Sequence, residues 1–244
     1  MIKWCEKILV AVDGSDPMHH LLRESIRLAH WIKAEMTVIH AVPPYNGDLT
    51  FAGAGSIEDL RREPCRRLLD RVTEIAEEDH AFLKAICLEG EPAEIILETA
   101  QKESCDLVVM GVYPKNILSR IISGQTLKKV LARIRKNVMI FPPNTSLDWQ
   151  KIVLITDDSK YSALATDLAE ELTRGYGGEL IRTALPDIFR RSARQIIQTA
   201  QQQKASLIIM PTPEFSGFSL FRGDAFERFL SELPCPALIC GIGS

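Results

Sequence analysis

Asp13 closes an unbroken apolar run, Ile8-Leu9-Val10-Ala11-Val12, and is followed by Gly14-Ser15-Asp16-Pro17. A carboxylate there has two uses. It can accept hydrogen bonds from a ribose or an adenine, or it can tie down the loop and cap the next helix through backbone N–H groups. The residues alone leave both open. A second constellation starts at Gly111, after the run Leu107-Val108-Val109-Met110, and ends at Gly124-Gln125-Thr126. A glycine ahead of a helix lets backbone N–H groups approach an anion, and the helix dipole favours negative charge there. The chemistry on offer is phosphate binding, with a plain turn as the alternative.

Other chemistries find no support. The chain has no HExxH, G-x-S-x-G or GxxxxGK[ST] motif, and His19, His20, His30, His40 and His80 lack paired metal spacing, so no enzyme activity is expected. Of these only His40 falls near the Asp13 run, where a packing role is expected. Cys5, Cys65, Cys87, Cys105, Cys235 and Cys240 form no CxxC pair or Cys/His cluster and are expected to be buried, reduced thiols. Thr156-Asp157-Asp158-Ser159 resembles the acidic pair of a phosphoacceptor receiver domain. Such a domain also needs a phosphorylatable Asp after a central strand and a Lys ending the last one. Here Pro211 ends the central run and Ala237 to Gly243 holds no Lys.

Composition narrows the partners. The 244 residues are 46% hydrophobic and 25% charged, ample for a core, and the formal charge is −3. Lys and Arg are scattered, and the short clusters Lys128-Lys129 and Arg133-Ile134-Arg135-Lys136 are expected on a solvated helix face, so nucleic acid is not an expected partner. No apolar run reaches the roughly 18 residues of a membrane helix, and Met1 to Lys7 contains no long apolar stretch; the expected location is the cytoplasm, off the membrane.

The elements that must position these residues repeat. Lys7 to Ser15 returns as Lys151 to Ser159, an offset of 144, while Thr99 to Met110 returns as Thr199 to Met210, an offset of 100, so the second copy is shorter by 44 residues. Strands are expected near 7–13, 36–42, 82–88, 107–111 and 138–141, alternating with helices whose stripes include Leu22, Ile26 and Ala29, and Leu68, Val72 and Ile75. Such alternation implies an α/β fold with a parallel sheet and right-handed crossovers. The second copy reads as strands at 151–157, 179–184, 207–211 and 237–241 with helices at 160–174, 188–203 and 223–233, one strand and one helix fewer. The expected organisation is a first unit over 1–143, a linker over 144–148 after Pro142-Pro143, and a truncated second unit over 149–244.

With these residues in hand, the chain resembles the universal stress protein family over nearly its full length. The resemblance implies two tandem Rossmann-like units of the adenine nucleotide alpha hydrolase-like kind, with strand order 3-2-1-4-5. The strand and helix missing from the second unit would then belong to an edge. In the family an Asp closes strand one, and in its ATP-binding branch the pattern G-x-x-G, nine residues and G-(S/T) follows strand four. Asp13, Gly111 and Gly124 match that pattern, and Ile39-His40-Ala41-Val42 resembles the strand-two end that lines the adenine pocket. The implied nucleotide-binding residues are Val12, Asp13, Ala41, Gly111, Gly124, Gln125 and Thr126, the ligand ATP or a related adenine nucleotide, and the only metal Mg accompanying it. Two departures point to weak binding: Pro114 stands at the second glycine and donates no N–H, and Gln125 replaces the Ser or Thr.

The second unit departs further, with Pro211 and Glu214 at the two glycines and Asp224 at the hydroxyl position. Its Phe215, Phe218, Phe221, Phe226 and Phe229 are expected as core or interface filler. The implied function is a non-catalytic stress-response module; the alternative is a nucleotide-free scaffold for a protein partner. The resemblance also implies that Val138 to Phe141 and Ala237 to Ile239 pair antiparallel, giving an intramolecular pseudo-dimer open to further self-association.

Overall fold

The computed structural model describes residues 4–15, 17–42, 57–112, 124–156, 161–184, 192–211 and 224–241. The first half of the chain runs β1 (Lys7–Val12), α1 (Met18–Ile32), β2 (Glu35–Val42), α2 (Ile57–Glu78), β3 (Leu83–Glu89), α3 (Pro92–Lys102), β4 (Leu107–Gly111), α4 (Gly124–Leu131) and β5 (Asn137–Phe141). The second half runs β6 (Lys151–Thr156), α5 (Tyr161–Tyr176), β7 (Glu179–Ala184), α6 (Ser192–Gln203), β8 (Leu207–Pro211), α7 (Asp224–Glu232) and β9 (Ala237–Cys240).

The nine strands of the described residues join one sheet in the order β3-β2-β1-β4-β5-β9-β8-β6-β7. The first five follow the expected order 3-2-1-4-5. In the second half β7, β6, β8 and β9 correspond to β2, β1, β4 and β5, so among the described residues it lacks counterparts of β3 and α2. Every neighbouring pair is parallel except β5 and β9, which run antiparallel with Val138 opposite Ile239, Met139 opposite Leu238 and Ile140 opposite Ala237. That is the expected pairing, and it covers two apolar strands that would otherwise be exposed sheet edges.

The continuous apolar runs make sense in this setting. Central parallel strands are covered on both faces, and period-two alternation sends alternate side chains to opposite sides. Leu9 and Ala11 of β1 face one core with Ile96 of α3, Leu127 of α4, Ile196 of α6 and Phe229 of α7. Ile8, Val10 and Val12 face the other, with Leu22 of α1, Val72 of α2 and Ala165 and Leu172 of α5. Both cores cross the β5–β9 seam without a break. Phe226 and Phe229 are buried as expected, while Phe215, Phe218 and Phe221 lie outside the described residues.

The segment expected as a polar linker is docked, not loose. Leu147 is fully buried. Its N–H donates to Glu24 Oε2 at 2.8 Å and its carbonyl accepts from Arg27 Nη2 at 2.6 Å. His20 Nε2 donates to the Thr145 carbonyl at 2.7 Å. Glu24, whose side chain is 8% exposed, also pairs with Arg27, and Trp149 stacks on Tyr176 with centroids 4.7 Å apart. One face of α1 thereby holds the crossing between the halves.

The cysteine expectation needs correction. Cys5, Cys105, Cys235 and Cys240 are free and buried, but Cys65 and Cys87 are joined by a disulfide, with Cα atoms 5.8 Å apart. The two are 22 residues apart in sequence, a spacing no cysteine motif flags; α2 folds back along the edge strand β3 and brings them together.

Candidate functional site

The strand order reverses between β1 and β4, which lie side by side with Ala11 opposite Met110. In open parallel sheets ligands settle outside the carboxyl ends of the strands at such a switch point. Val12 and Asp13 stand at that end of β1, Gly111 at that end of β4, and Ala41 near the end of β2, with Val12 opposite His40 and Gly111 opposite Phe141. Val12, Asp13 and Ala41 are buried.

The carboxylate of Asp13 divides its work. Oδ1 accepts from the Ser15 N–H at 3.0 Å and from the Ser15 hydroxyl at 2.6 Å, forming a tight turn in which Gly14 takes φ +77°. Helix α1 starts separately, at Pro17, with no side-chain cap. Asp13 therefore ties the loop and does not cap the helix. Oδ2 is buried with no hydrogen-bond partner among the described residues, in a residue only 7% exposed. A buried carboxylate oxygen without a donor is costly, and such exceptions call for an explanation.

His40 supports the same turn. Its Nδ1 lies 2.9 Å from the Val12 carbonyl oxygen, an acceptor, so Nδ1 carries the proton. Burial pushes the imidazole below its ordinary value, outweighing the Val12 carbonyl and the Asp13 carboxylate, which pull the other way. This is the expected packing role. It has a pH consequence: because the folded value is depressed, the stability that neutral His40 carries is complete above about pH 6.5 and is lost as the pH falls through the folded value. Urea midpoints taken from about pH 7.5 down to about pH 5 should fall further in the native protein than in His40→Gln; parallel profiles would contradict this.

Around the other constellation, Gly111 is buried at the end of β4, and the next N–H, from Val112, donates to the Phe141 carbonyl at 2.9 Å, so the sheet already uses it. Helix α4 opens on Gly124, Gln125 and Thr126, with Gln125 exposed and Thr126 buried. Its first turn carries no acidic residue of its own and its last turn carries Lys128 and Lys129, so the helix's own charges leave its positive end without a counter-charge. Among the described residues, a methyl group on Gly124 would meet only Leu230 Cδ1, at an ordinary 3.7 Å. Packing among the described residues therefore does not require glycine there. Pro114 lies outside the described residues, as do Asp157, Asp158 and Glu214.

Sequence reasoning missed two participants. Ser15 occupies Asp13 Oδ1, and the Asp-x-Ser pattern of the turn was the available signal. Leu68 of α2 lies 3.3 Å from where a Cβ on Gly14 would stand, a contact between distant segments that no local pattern announces. Among the described residues no group of His, Cys, Asp and Glu is arranged to hold a metal ion, and no helix is long and apolar enough to cross a membrane. A cavity of about 340 Å³ lies at the opposite, amino end of the strands, against Lys7, Thr37, Leu83 and Lys84. Its charges are mutually paired, Lys84 with Glu103 at 2.9 Å and Lys7 with Glu35 at 3.9 Å. The fold rule and the orphan oxygen both favour the carboxyl end as the site.

The chain is similar to known proteins in the same terms. It is 31% identical over 137 residues to a universal stress protein of Methanocaldococcus jannaschii, covering 55% of this chain and 81% of that one. It is 29% identical over 160 residues to the stress response protein NhaX of Bacillus subtilis, covering 55% and 96%. A crystal structure of a universal stress protein from Archaeoglobus fulgidus shares the whole fold, with a TM-score of 0.75 over 99% of this chain and 98% of that one, at 18% identity. The family model for the universal stress protein family matches residues 5–142. More than half the chain thus carries the family's own pattern, with Asp13, Gly111 and Gly124 inside the matched span, and the chain belongs to the universal stress protein family.

Proposed function

We propose that this universal stress protein is a non-catalytic stress-response regulator built of two tandem units, 1–143 and 149–244 joined by 144–148, whose first unit binds ATP or a related adenine nucleotide weakly in the cytoplasm. The observation that carries the reading is the buried, unpartnered Oδ2 of Asp13 at the β1–β4 switch point. A ribose hydroxyl would supply the donor it lacks. The backbone at Val12 and Ala41 lines the same end of the sheet, and the N–H groups opening α4 at Gly124, Gln125 and Thr126 suit a phosphate, with the backbone at Gly111 close behind. Mg enters only as the nucleotide's companion. In the second unit Pro211, Glu214 and Asp224 remove the equivalent chemistry.

Weak binding follows from Pro114 and Gln125, which remove one backbone donor and one hydroxyl. Two lost hydrogen bonds of ordinary strength are worth about 1 to 3 kcal/mol, about fivefold to more than a hundredfold in affinity. Pro114→Gly combined with Gln125→Ser should therefore tighten ATP binding by about tenfold or more in calorimetric titration. No heat from either protein, both folded, would overturn the nucleotide reading in favour of a scaffold for a protein partner.

A further inference from the structure

We infer that Cys65 and Cys87 form a reversible thiol–disulfide site whose closure seats α2 over the Asp13 turn. The bridge lies at the carboxyl end of the sheet. Cys87 sits opposite His40 in the β2–β3 register, and His40 sits opposite Val12 in the β1–β2 register, so one line of residues runs from the disulfide to the site. On α2, Leu68 follows Cys65 by three residues and shares its helix face. Leu68 Cδ1 reaches 3.3 Å from the Cβ position of Gly14, with His40 Cε1 at 4.0 Å. The disulfide thus fixes the helix whose side chain roofs the turn holding Asp13.

Two observations make this a site and not a passive staple. Both bridged cysteines are only half-buried, whereas burial disfavours the thiolates of the four free ones: Cys105 is pushed up to about 11, Cys235 and Cys240 to about 12, and Cys5 beyond them. The accessible exchange chemistry is confined to the pair. The bridge also meets α2 beside Pro64, which lies inside the helix and donates no N–H. Further along, Leu68, Val72, Ile75 and Ala76 are buried, so opening the bridge loosens the start of α2 without unfolding the half.

The reaction is ordinary exchange. A thiolate of a low-molecular-weight thiol, or of a protein dithiol, attacks one sulfur of the bridge and displaces the other, giving a mixed disulfide. A second thiolate from the same reductant resolves it. Two electrons pass to the pair, two protons end on Cys65 and Cys87, and the reductant leaves as its disulfide. Closure is the reverse, with that disulfide as oxidant. Any effect on ligand affinity rests on the nucleotide reading above; the effect on α2 does not.

The test compares the full chain equilibrated in oxidised and in reduced glutathione, by mass spectrometry after alkylation and by hydrogen exchange. A bridged peptide joining Cys65 to Cys87 is expected in the oxidised sample. Reduction should then speed exchange over 57–67 and at Gly14 and Ser15 by about tenfold, leaving β6 and β8 unchanged. Cys87→Ser should show the fast pattern in both buffers. No bridge under oxidation, or a bridge whose opening leaves exchange unchanged, would overturn the proposal. ATP titration of both forms separates the two readings. Altered exchange with no ATP heat in either form upholds the redox site and removes the nucleotide; equal ATP affinity in both forms overturns the coupling of the bridge to the Asp13 turn.

Discussion

Gly241→Ala is expected to cost about 3 kcal/mol of stability. A Cβ at that position would lie 2.1 Å from the Arg135 carbonyl oxygen and 2.5 Å from the Lys136 carbonyl carbon, both backbone atoms that cannot swing aside. Gly241 directly follows β9, and its N–H donates to Asn137 Oδ1 at 2.9 Å, so the collision falls on the antiparallel seam that joins the halves. Both cores run across that seam, and a shift there disturbs packing on both faces. For a chain of this size the loss corresponds to a fall of roughly 6 to 12 °C in Tm. Gly177→Ala is the control: Gly177 adopts φ +79°, but nothing lies within 4 Å of an added Cβ, so only backbone strain of about 1 kcal/mol is expected. Calorimetric melting of both variants checks the pair, and equal losses would contradict the close approach at the seam.

Asp13→Ala and Asp13→Asn are both expected to lose ATP binding by on the order of a hundredfold, the effect of losing about 3 kcal/mol in hydrogen bonds to a charged acceptor. Their effects on stability should differ. Alanine also removes the acceptor for the Ser15 N–H and hydroxyl and so releases the turn. Asparagine keeps one oxygen for Ser15 and replaces the orphan Oδ2 with an amide that cannot accept from a ribose hydroxyl. It also removes a buried carboxylate oxygen that has no partner among the described residues. Asp13→Asn should therefore melt at or slightly above the native temperature while failing to bind, the separation expected of a residue whose second oxygen serves a ligand. A variant that binds ATP as the native protein does, measured by calorimetry, would sink the assignment of Asp13.

Much of the architecture was legible before the fold. The fully apolar runs of β1 and β4 announce strands covered on both faces, and the repeat of Lys7 to Ser15 at Lys151 to Ser159 announces a second copy of the first turn of the fold. The unequal offsets of the two repeated stretches show that a strand and a helix are missing between them, and the strand order implied by the family resemblance puts the loss at the edge beyond β7, where the ladder is not broken. The seam pairing came through family resemblance; nothing in Val138 to Phe141 or Ala237 to Ile239 specifies a partner.

What stayed hidden depended on contacts between segments distant in sequence. The Cys65–Cys87 bridge, the burial of Leu147 against Glu24 and Arg27, and the reach of Leu68 to Gly14 join residues 22 to more than 100 positions apart, after helices and strands have folded back on one another. At the site, the pattern around Asp13 led to two competing roles. The geometry gives one role to each oxygen: Oδ1 holds the loop and Oδ2 is left over. A one-dimensional reading assigns a side chain to a job, whereas a carboxylate has two acceptors that can face in different directions.

Where a nucleotide touches the chain tests the assignment of Asp13 and of the α4 N-terminus most directly. Backbone amide resonances of the full protein, followed by NMR through an ATP titration, report that residue by residue. The expected result is shifts at Gly14 and Ser15, around Gly111, and at Gly124, Gln125 and Thr126, saturating together, with β8 and α7 of the second half unmoved. Shifts confined to the second half or to the amino-end cavity near Lys84, or no shift anywhere in the folded protein, would contradict it.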